Sequence, residues 1–272
     1  LELDQITSAP ILGAVLFDAN AKTQVLSALD SKSINSEGYR TIRTNLQYIN
    51  VDDPIRAFVV TSAAPGDGKT TVACNLAIAL AQSGKKVCLV EADLRRPRVN
   101  EYLQLNPSAG LTEVLAGQIP LNGALQTWGN GMLKILPPGV IPPNPSELLG
   151  SHQMAQVVAN LKREFDVVIL DTPPLLAVSD AAVLASQADG AVVVVRYGKS
   201  SCDAVRNAVA SLEQINAKVL GTVLNAIPAK RGAAYGYAYG YGYGDDTNGK
   251  ATTPSKVAKT PTAPNDPANT SA

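Results

Sequence analysis

The segment Ala63-Ala64-Pro65-Gly66-Asp67-Gly68-Lys69-Thr70 brings glycines, a cation and a hydroxyl together directly after an apolar run and directly before a helical one. That grouping suits the gripping of a phosphate chain. Glycines let backbone N–H groups close around phosphate oxygens, a lysine reaches the β- and γ-phosphates, and a Ser or Thr hydroxyl ligates Mg²⁺. Gly66, Gly68, Lys69 and Thr70 supply these parts, and Ala64, Pro65, Asp67 and Thr71 complete the nucleotide-binding segment. Ala63 stands where the usual motif has its first glycine, so the loop must tolerate a methyl group there; the strand and helix on either side carry the match.

Two acidic sites also follow strand-like runs, the place where an α/β sheet presents its ligand. Val168-Ile169-Leu170-Asp171-Thr172-Pro173-Pro174 ends an apolar run in a carboxylate suited to hold Mg²⁺ beside the phosphate loop. Val87-Cys88-Leu89-Val90-Glu91-Ala92-Asp93-Leu94-Arg95 ends another with two carboxylates and a nearby arginine. One such acid could cap a helix. Three converging on Lys69 and Thr70 make a metal and phosphoryl site, with Lys69, Glu91, Asp93 and Asp171 as candidate catalytic groups and Thr70, Asp93 and Asp171 as candidate Mg²⁺ ligands.

The elements that must position these groups are legible in the apolar patterning. Strands are expected at Ala57 to Thr61, Lys86 to Val90, Met132 to Leu136, Asp166 to Leu170, Ala191 to Val195 and Val219 to Leu224. Several are apolar at consecutive positions, as strands buried on both faces should be. Helices are expected at Thr70 to Ser83, Leu111 to Ala116, Ser146 to Phe165, Ser179 to Ser186 and Ser201 to Ile215, with an extended segment from Pro10 to Phe17 and a helix from about Asn35 to Asn50 before them. Strands alternating with helices predict an α/β fold: a mostly parallel central sheet flanked by helices in three layers, of the P-loop NTPase type.

Composition sets outer bounds. The chain has 272 residues, 46% apolar and 17% charged, enough for a full hydrophobic core. Lys plus Arg and Asp plus Glu both number 23, so no net basic field draws it to nucleic acid. Cys74, Cys88 and Cys202 have neither metal spacing nor a disulfide framework, which predicts a reducing setting. No apolar run approaches the ~20 residues of a membrane span. A start at Leu1 rather than Met reads as part of a longer chain.

Taken together, the motifs resemble the cytoplasmic catalytic domain of bacterial tyrosine kinases, the autokinases of capsule and exopolysaccharide export. That family's Asp-x-Asp-x-Arg motif is matched by Glu91-Ala92-Asp93-Leu94-Arg95 and its apolar-Asp-x-x-Pro motif by Leu170-Asp171-Thr172-Pro173-Pro174. Its Glu-x-x-Arg-x-x-Arg helix is matched by Glu37-Gly38-Tyr39-Arg40-Thr41-Ile42-Arg43, and the stretch Pro142 to Leu149 and a tyrosine-rich tail also look like it. Glu91 replaces the family's usual Asp, so either Glu91 or Asp93 is left to receive the phenol proton. Partitioning and division-site ATPases of the MinD and ParA kind share the sheet but carry a signature lysine at the position of Ala64; an ATPase switch that modifies no protein is the alternative.

The resemblance implies ATP and Mg²⁺ as cofactors, with Asn225 at the place where related ATPases read adenine, a place where a polar strand end is equally expected. It further implies intersubunit contacts by Glu37, Arg40 and Arg43 in a ring of identical subunits, and transfer to Tyr235, Tyr237, Tyr239, Tyr241 and Tyr243 of a neighbour. A membrane activator segment, fused or separate, and a place at the cytoplasmic face of the membrane follow from the same likeness. The expected segments are 1–50 (extended segment and oligomerisation helix), 51–230 (kinase domain), 231–244 (tyrosine cluster) and 245–272 (disordered tail). Phosphorylation adds ~1.5 to 2 negative charges per tyrosine, which predicts that a loaded tail is repelled by Glu91, Asp93 and Asp171 and loosens the ring. His152, the single histidine, is expected on the surface.

Overall fold

The structure, a computed structural model, describes Leu3 and residues 6–17, 33–50, 52–106 and 109–228. The tyrosine cluster at 235–243 and the tail after it lie outside the described residues. In chain order the elements are β1 (Ile11–Leu16), α1 (Ile34–Tyr48), β2 (Ala57–Ser62), α2 (Lys69–Gln82), β3 (Val87–Glu91), α3 (Val99–Leu103), α4 (Leu111–Leu115), α5 (Leu121–Ala124), β4 (Gln126–Trp128), β5 (Leu133–Leu136), α6 (Pro145–Leu149), α7 (His152–Glu164), β6 (Val167–Asp171), α8 (Asp180–Gln187), β7 (Ala191–Arg196), α9 (Cys202–Glu213) and β8 (Val219–Ile227).

The strands form one sheet of order β1-β8-β7-β2-β6-β3-β5-β4. Its pairings are parallel apart from β4 with β5 at one edge. Every residue of β2 is buried: Ala57 and Val59 face a cluster built with α4, α7, α8 and α9, while Phe58 and Val60 face one built with α1, α2 and α3. Burial on both faces explains the continuous apolar runs, and gives the three-layer sandwich. Helix α2 is apolar on nearly all sides because the sheet covers one face and α1 and α3 another.

Two differences from the sequence expectation have local causes. The single helix expected from Ser146 to Phe165 is two helices: α6 stops at Gly150, and the Ser151 hydroxyl accepts from the Met154 N–H at 3.2 Å to cap α7. Nor is residue 50 a boundary between separate units. β1 is an edge strand beside β8, and α1 is tied to β1 by Asn35, whose amide meets both the N–H and the carbonyl of Leu16 at 2.8 and 3.1 Å. Asn45 donates to the Leu12 carbonyl at 2.9 Å. The approach is so close that a Cβ at Gly38 would lie 2.5 Å from the Ala14 carbonyl oxygen.

Candidate active site

β2 has β6 on one side and β7 on the other, so its carboxyl end lies where successive connections diverge. Val60 is in register with Asp171, and Asp171 with Glu91. The phosphate loop, Asp171 and the Glu91 to Arg95 segment therefore emerge side by side. Gly66 and Gly68 have φ of 82° and 94°, a region that glycine alone enters freely. A Cβ at Gly68 would also collide with the Asn225 side-chain amide.

The loop is braced from outside. Asn225 Nδ2 donates to the Asp67 carbonyl at 2.8 Å, Arg196 to the Gly66 carbonyl at 2.8 Å and Lys199 to the Pro65 carbonyl at 3.0 Å. Asp67 itself accepts from the Ala64 N–H at 3.2 Å. These bonds engage the carbonyls of Pro65, Gly66 and Asp67, and among the described residues no backbone carbonyl meets the N–H groups of Gly66, Asp67, Gly68 or Lys69. Asn225, expected at the adenine, is placed against the loop backbone. Arg196 and Lys199 were not singled out by sequence; neither carries a spacing signal of its own.

Lys69 Nζ donates to Asp93 Oδ2 at 2.9 Å and to Thr70 Oγ1 at 3.3 Å. Burial disfavours its charge, but Asp171, Asp93 and Glu91 outweigh burial and hold its pKa above the ordinary lysine value. Asp171 is fully buried, and neither of its carboxylate oxygens makes a well-formed hydrogen bond. Burial pushes its pKa up to about 6 against the opposing pull of Lys69 and the nearby Thr70 hydroxyl.

Glu91 and Asp93 have separate positions. Glu91 Oε2 accepts from the N–H groups of Arg98 and Val99 at 2.8 and 2.7 Å, so it holds the start of α3; burial, then the Asp171 charge, raise its pKa. Asp93 bonds Lys69 through one oxygen and the Arg96 N–H through the other, at 3.0 Å. Of the two, only Asp93 lines the cleft of about 500 Å³ that opens over Gly66, Lys69 and Thr70.

The Asp171 orphan oxygens beside a buried Thr70 fit a hard, oxygen-seeking cation. Among the described residues no three acidic, His or Cys side chains gather into a metal site by themselves. Mg²⁺ is characteristically held by one or two carboxylates together with substrate phosphates, so the residues fit a nucleotide-bound Mg²⁺.

The outer cleft carries features that sequence reasoning did not connect. Arg95 donates to both Asp180 oxygens, at 2.8 and 3.3 Å, and to Ser146 Oγ at 2.8 Å, while Ser146 donates to Asp180 at 2.6 Å. Two segments noted separately, Glu91 to Arg95 and Pro142 to Leu149, are thereby one assembly. Arg95, Arg96 and Arg98 are all exposed at the mouth, whereas Glu91, Asp93 and Asp171 are only 0%, 3% and 0% accessible. The expected repulsion between a phosphorylated cluster and the three acids concerns residues that lie outside those described.

The α1 motif is also divided. Glu37 and Arg40 pair at 3.1 Å on the exposed face, but Arg43 donates to the Ala79 carbonyl of its own α2 at 3.1 Å. His152 sits exposed at the start of α7 beside Gln156, 3.0 Å away.

A glycine-cradled lysine opening the helix that follows a buried strand, with an orphaned carboxylate at the end of the neighbouring strand, defines a P-loop nucleotide-binding protein. The ParA family model, described as the NUBPL iron-transfer P-loop NTPase, matches residues 55–230. Within that class the likeness is more specific. The tyrosine-protein kinase YwqD of Bacillus subtilis is 42% identical over 212 residues, 78% of this chain and 90% of that protein. The kinase domain of Escherichia coli tyrosine kinase ETK superposes with a TM-score of 0.78 at 32% identity, covering 89% of this chain and 97% of that domain. The chain spans 27% of full-length Etk. MinD from Pyrococcus horikoshii, complexed with Mg-ADP, reaches a TM-score of 0.55 at 26% identity over 66% of this chain and 76% of that one. The chain belongs to the bacterial tyrosine-kinase family.

Proposed function

We propose that this chain is a protein-tyrosine autokinase that transfers the γ-phosphate of ATP to Tyr235, Tyr237, Tyr239, Tyr241 and Tyr243 of a neighbouring copy. The observation that carries the reading is the meeting of Lys69, Asp93 and Thr70 in one cleft whose other wall is apolar, formed by Pro173, Pro174, Ala177 and Val178. Beside the phosphate grip there is a surface for a phenol ring.

The loop N–H groups and Lys69 hold the β- and γ-phosphate oxygens, and Thr70 with Asp171 would hold the Mg²⁺. The metal, when bound, offsets charge on the transferring group. Lys69 is stored on Asp93 at 2.9 Å; as Lys69 turns to phosphate, Asp93 Oδ2 is released to orient the tyrosine hydroxyl and accept its proton. Glu91 supports this site through the α3 backbone and touches no reacting atom. Catalysis is then mainly positioning and charge stabilisation.

The wider setting belongs to the same proposal: control of capsule or exopolysaccharide export, a ring formed through the Glu37 and Arg40 face, and a membrane-bound activator that holds the chain at the cytoplasmic face. Arg43 supports α1 from within.

Pure chain incubated with radiolabelled ATP and Mg²⁺ should carry label on residues 235–243. For the intermolecular step, an Asp171→Asn copy with intact tyrosines is mixed with an active copy bearing phenylalanine at all five positions. Label in the Asp171→Asn copy supports transfer between subunits. Label found only as free phosphate would mean an ATPase switch and end the kinase reading.

A further inference from the structure

We infer that Arg96 and Arg98 at the cleft mouth form an anion site for a phosphotyrosine, so that a partly phosphorylated tyrosine cluster binds better than an unmodified one. The inference rests on the tyrosine-acceptor reading above and goes beyond it.

The three arginines of the mouth are not equivalent. Arg95 is committed to the buried Asp180 and to Ser146. Arg96 has no ion-pair partner among the described residues. Arg98 meets only Glu101 at 3.3 Å, both side chains more than half exposed, and an exposed pair of that kind is readily exchanged. Two guanidinium groups at the mouth are therefore available to an incoming anion.

They are also held in place from below. The Arg96 N–H is fixed by Asp93 and the Arg98 N–H by Glu91, so the backbone bearing both side chains is fastened to the two acids that end β3. This gives the Glu91 carboxylate its purpose: it orders the rim rather than the reaction.

The ligand chemistry follows from the spacing of the cluster. Tyr235, Tyr237, Tyr239, Tyr241 and Tyr243 occupy alternate positions. In an extended segment alternate side chains project to one side, roughly 6.6 to 6.8 Å apart. With one phenol on the apolar lining beside Lys69, a tyrosine two positions away is, in this inference, the one that meets Arg96 and Arg98, which line the same cleft. A phosphate there brings ~1.5 to 2 negative charges and acceptor oxygens that match guanidinium forks. Each modification then favours capture of the next tyrosine, the opposite sign from repulsion.

The test is binding, read by fluorescence anisotropy with the full chain and saturating MgADP, using peptides of residues 233–244 either unmodified or phosphorylated at Tyr239 alone. The phosphopeptide should bind about fivefold tighter, the ratio expected for ~1 kcal/mol. Arg96→Gln with Arg98→Gln should bring the ratio to about one, and Arg96→Lys with Arg98→Lys should restore part of it. Equal or weaker binding of the phosphopeptide by the unaltered chain overturns the inference, as does a ratio unchanged in the glutamine variant. If the glutamine variant instead loses MgADP affinity while keeping the peptide ratio, the rim serves the nucleotide and the inference is likewise wrong. Failure of label to reach tyrosine would strike the kinase reading; these affinities are measured without transfer.

Discussion

Asp171 is a buried carboxylate with no well-formed hydrogen bond, a condition that costs stability unless a cation arrives. Its pKa of about 6 leaves it mostly charged at neutral pH. Asp171→Asn removes that charge, so the nucleotide-free chain should gain about 1–2 kcal/mol, seen in calorimetry at pH 7.5 as a rise of a few degrees in Tm. Phosphoryl transfer by the same variant should fall roughly a hundredfold or more, because a metal ligand is lost. Lys69→Met should do the reverse to stability: removing the one ammonium among Asp93, Asp171 and Glu91 leaves buried acids uncompensated, at about 3–5 kcal/mol. Opposite shifts in Tm from two inactivating changes would be hard to obtain unless these groups share one electrostatic site. A lower Tm for Asp171→Asn would refute that account.

At the scale of elements, α1 has two separable jobs. Arg43 fastens it to the carbonyl end of α2, so Arg43→Ala should cost about 0.5–1.5 kcal/mol in thermal unfolding. Arg40 faces outward with Glu37, so Arg40→Ala should leave Tm nearly unchanged and reduce the assembly mass measured by light scattering. An unaltered mass would remove Arg40 from the subunit interface. Tyr39, Ile42 and Leu46 are buried on one side of α1, a face that helical periodicity records, but periodicity does not show that Arg43 bends back to a carbonyl 36 residues away in α2. The same limit applies elsewhere. The inner strands of the sheet were legible because burial on both faces writes a local apolar run, whereas the short edge strand β4, without such burial, was not. Helix α3 was not, because its five residues are capped from β3 by Glu91. The phosphate loop announced itself in eight consecutive residues, whereas the Arg95, Ser146 and Asp180 assembly joins positions 51 and 85 apart, a separation that no periodicity records.

For the whole molecule, net charge is zero at neutral pH, so acid sensitivity should come from particular carboxylates rather than general repulsion. Asp189 accepts from the N–H groups of Arg56 and Ala57 at 2.8 and 2.9 Å and from Lys162 at 2.6 Å, tying the start of β2 to α7. Glu113 accepts from the N–H groups of Gly110 and Val140 at 2.7 and 2.9 Å, tying α4 to the segment after β5. Burial raises both pKa values, but these bonds outweigh it and hold both below the ordinary carboxylate range. A carboxyl with a lower pKa folded than unfolded stabilises fully above its unfolded value, and that stabilisation disappears as pH falls through the folded one. Asp171 works the other way: its folded pKa of about 6 is the higher, so its penalty is felt above pH 6 and is relieved as the solution is acidified toward its unfolded value. The two trends oppose each other, and the nucleotide-free chain should be most stable in mildly acid solution, below the folded pKa of Asp171 and above the range in which Asp189 and Glu113 take up protons. Thermal unfolding followed from pH 8 to pH 3 should show that maximum. Asp189→Asn should lie below the unaltered chain at pH 6, and the gap should narrow as the pH falls toward 3, since protonation of the acid removes what the amide cannot supply. A gap of constant height across the range would mean that Asp189 acts by shape rather than by charge.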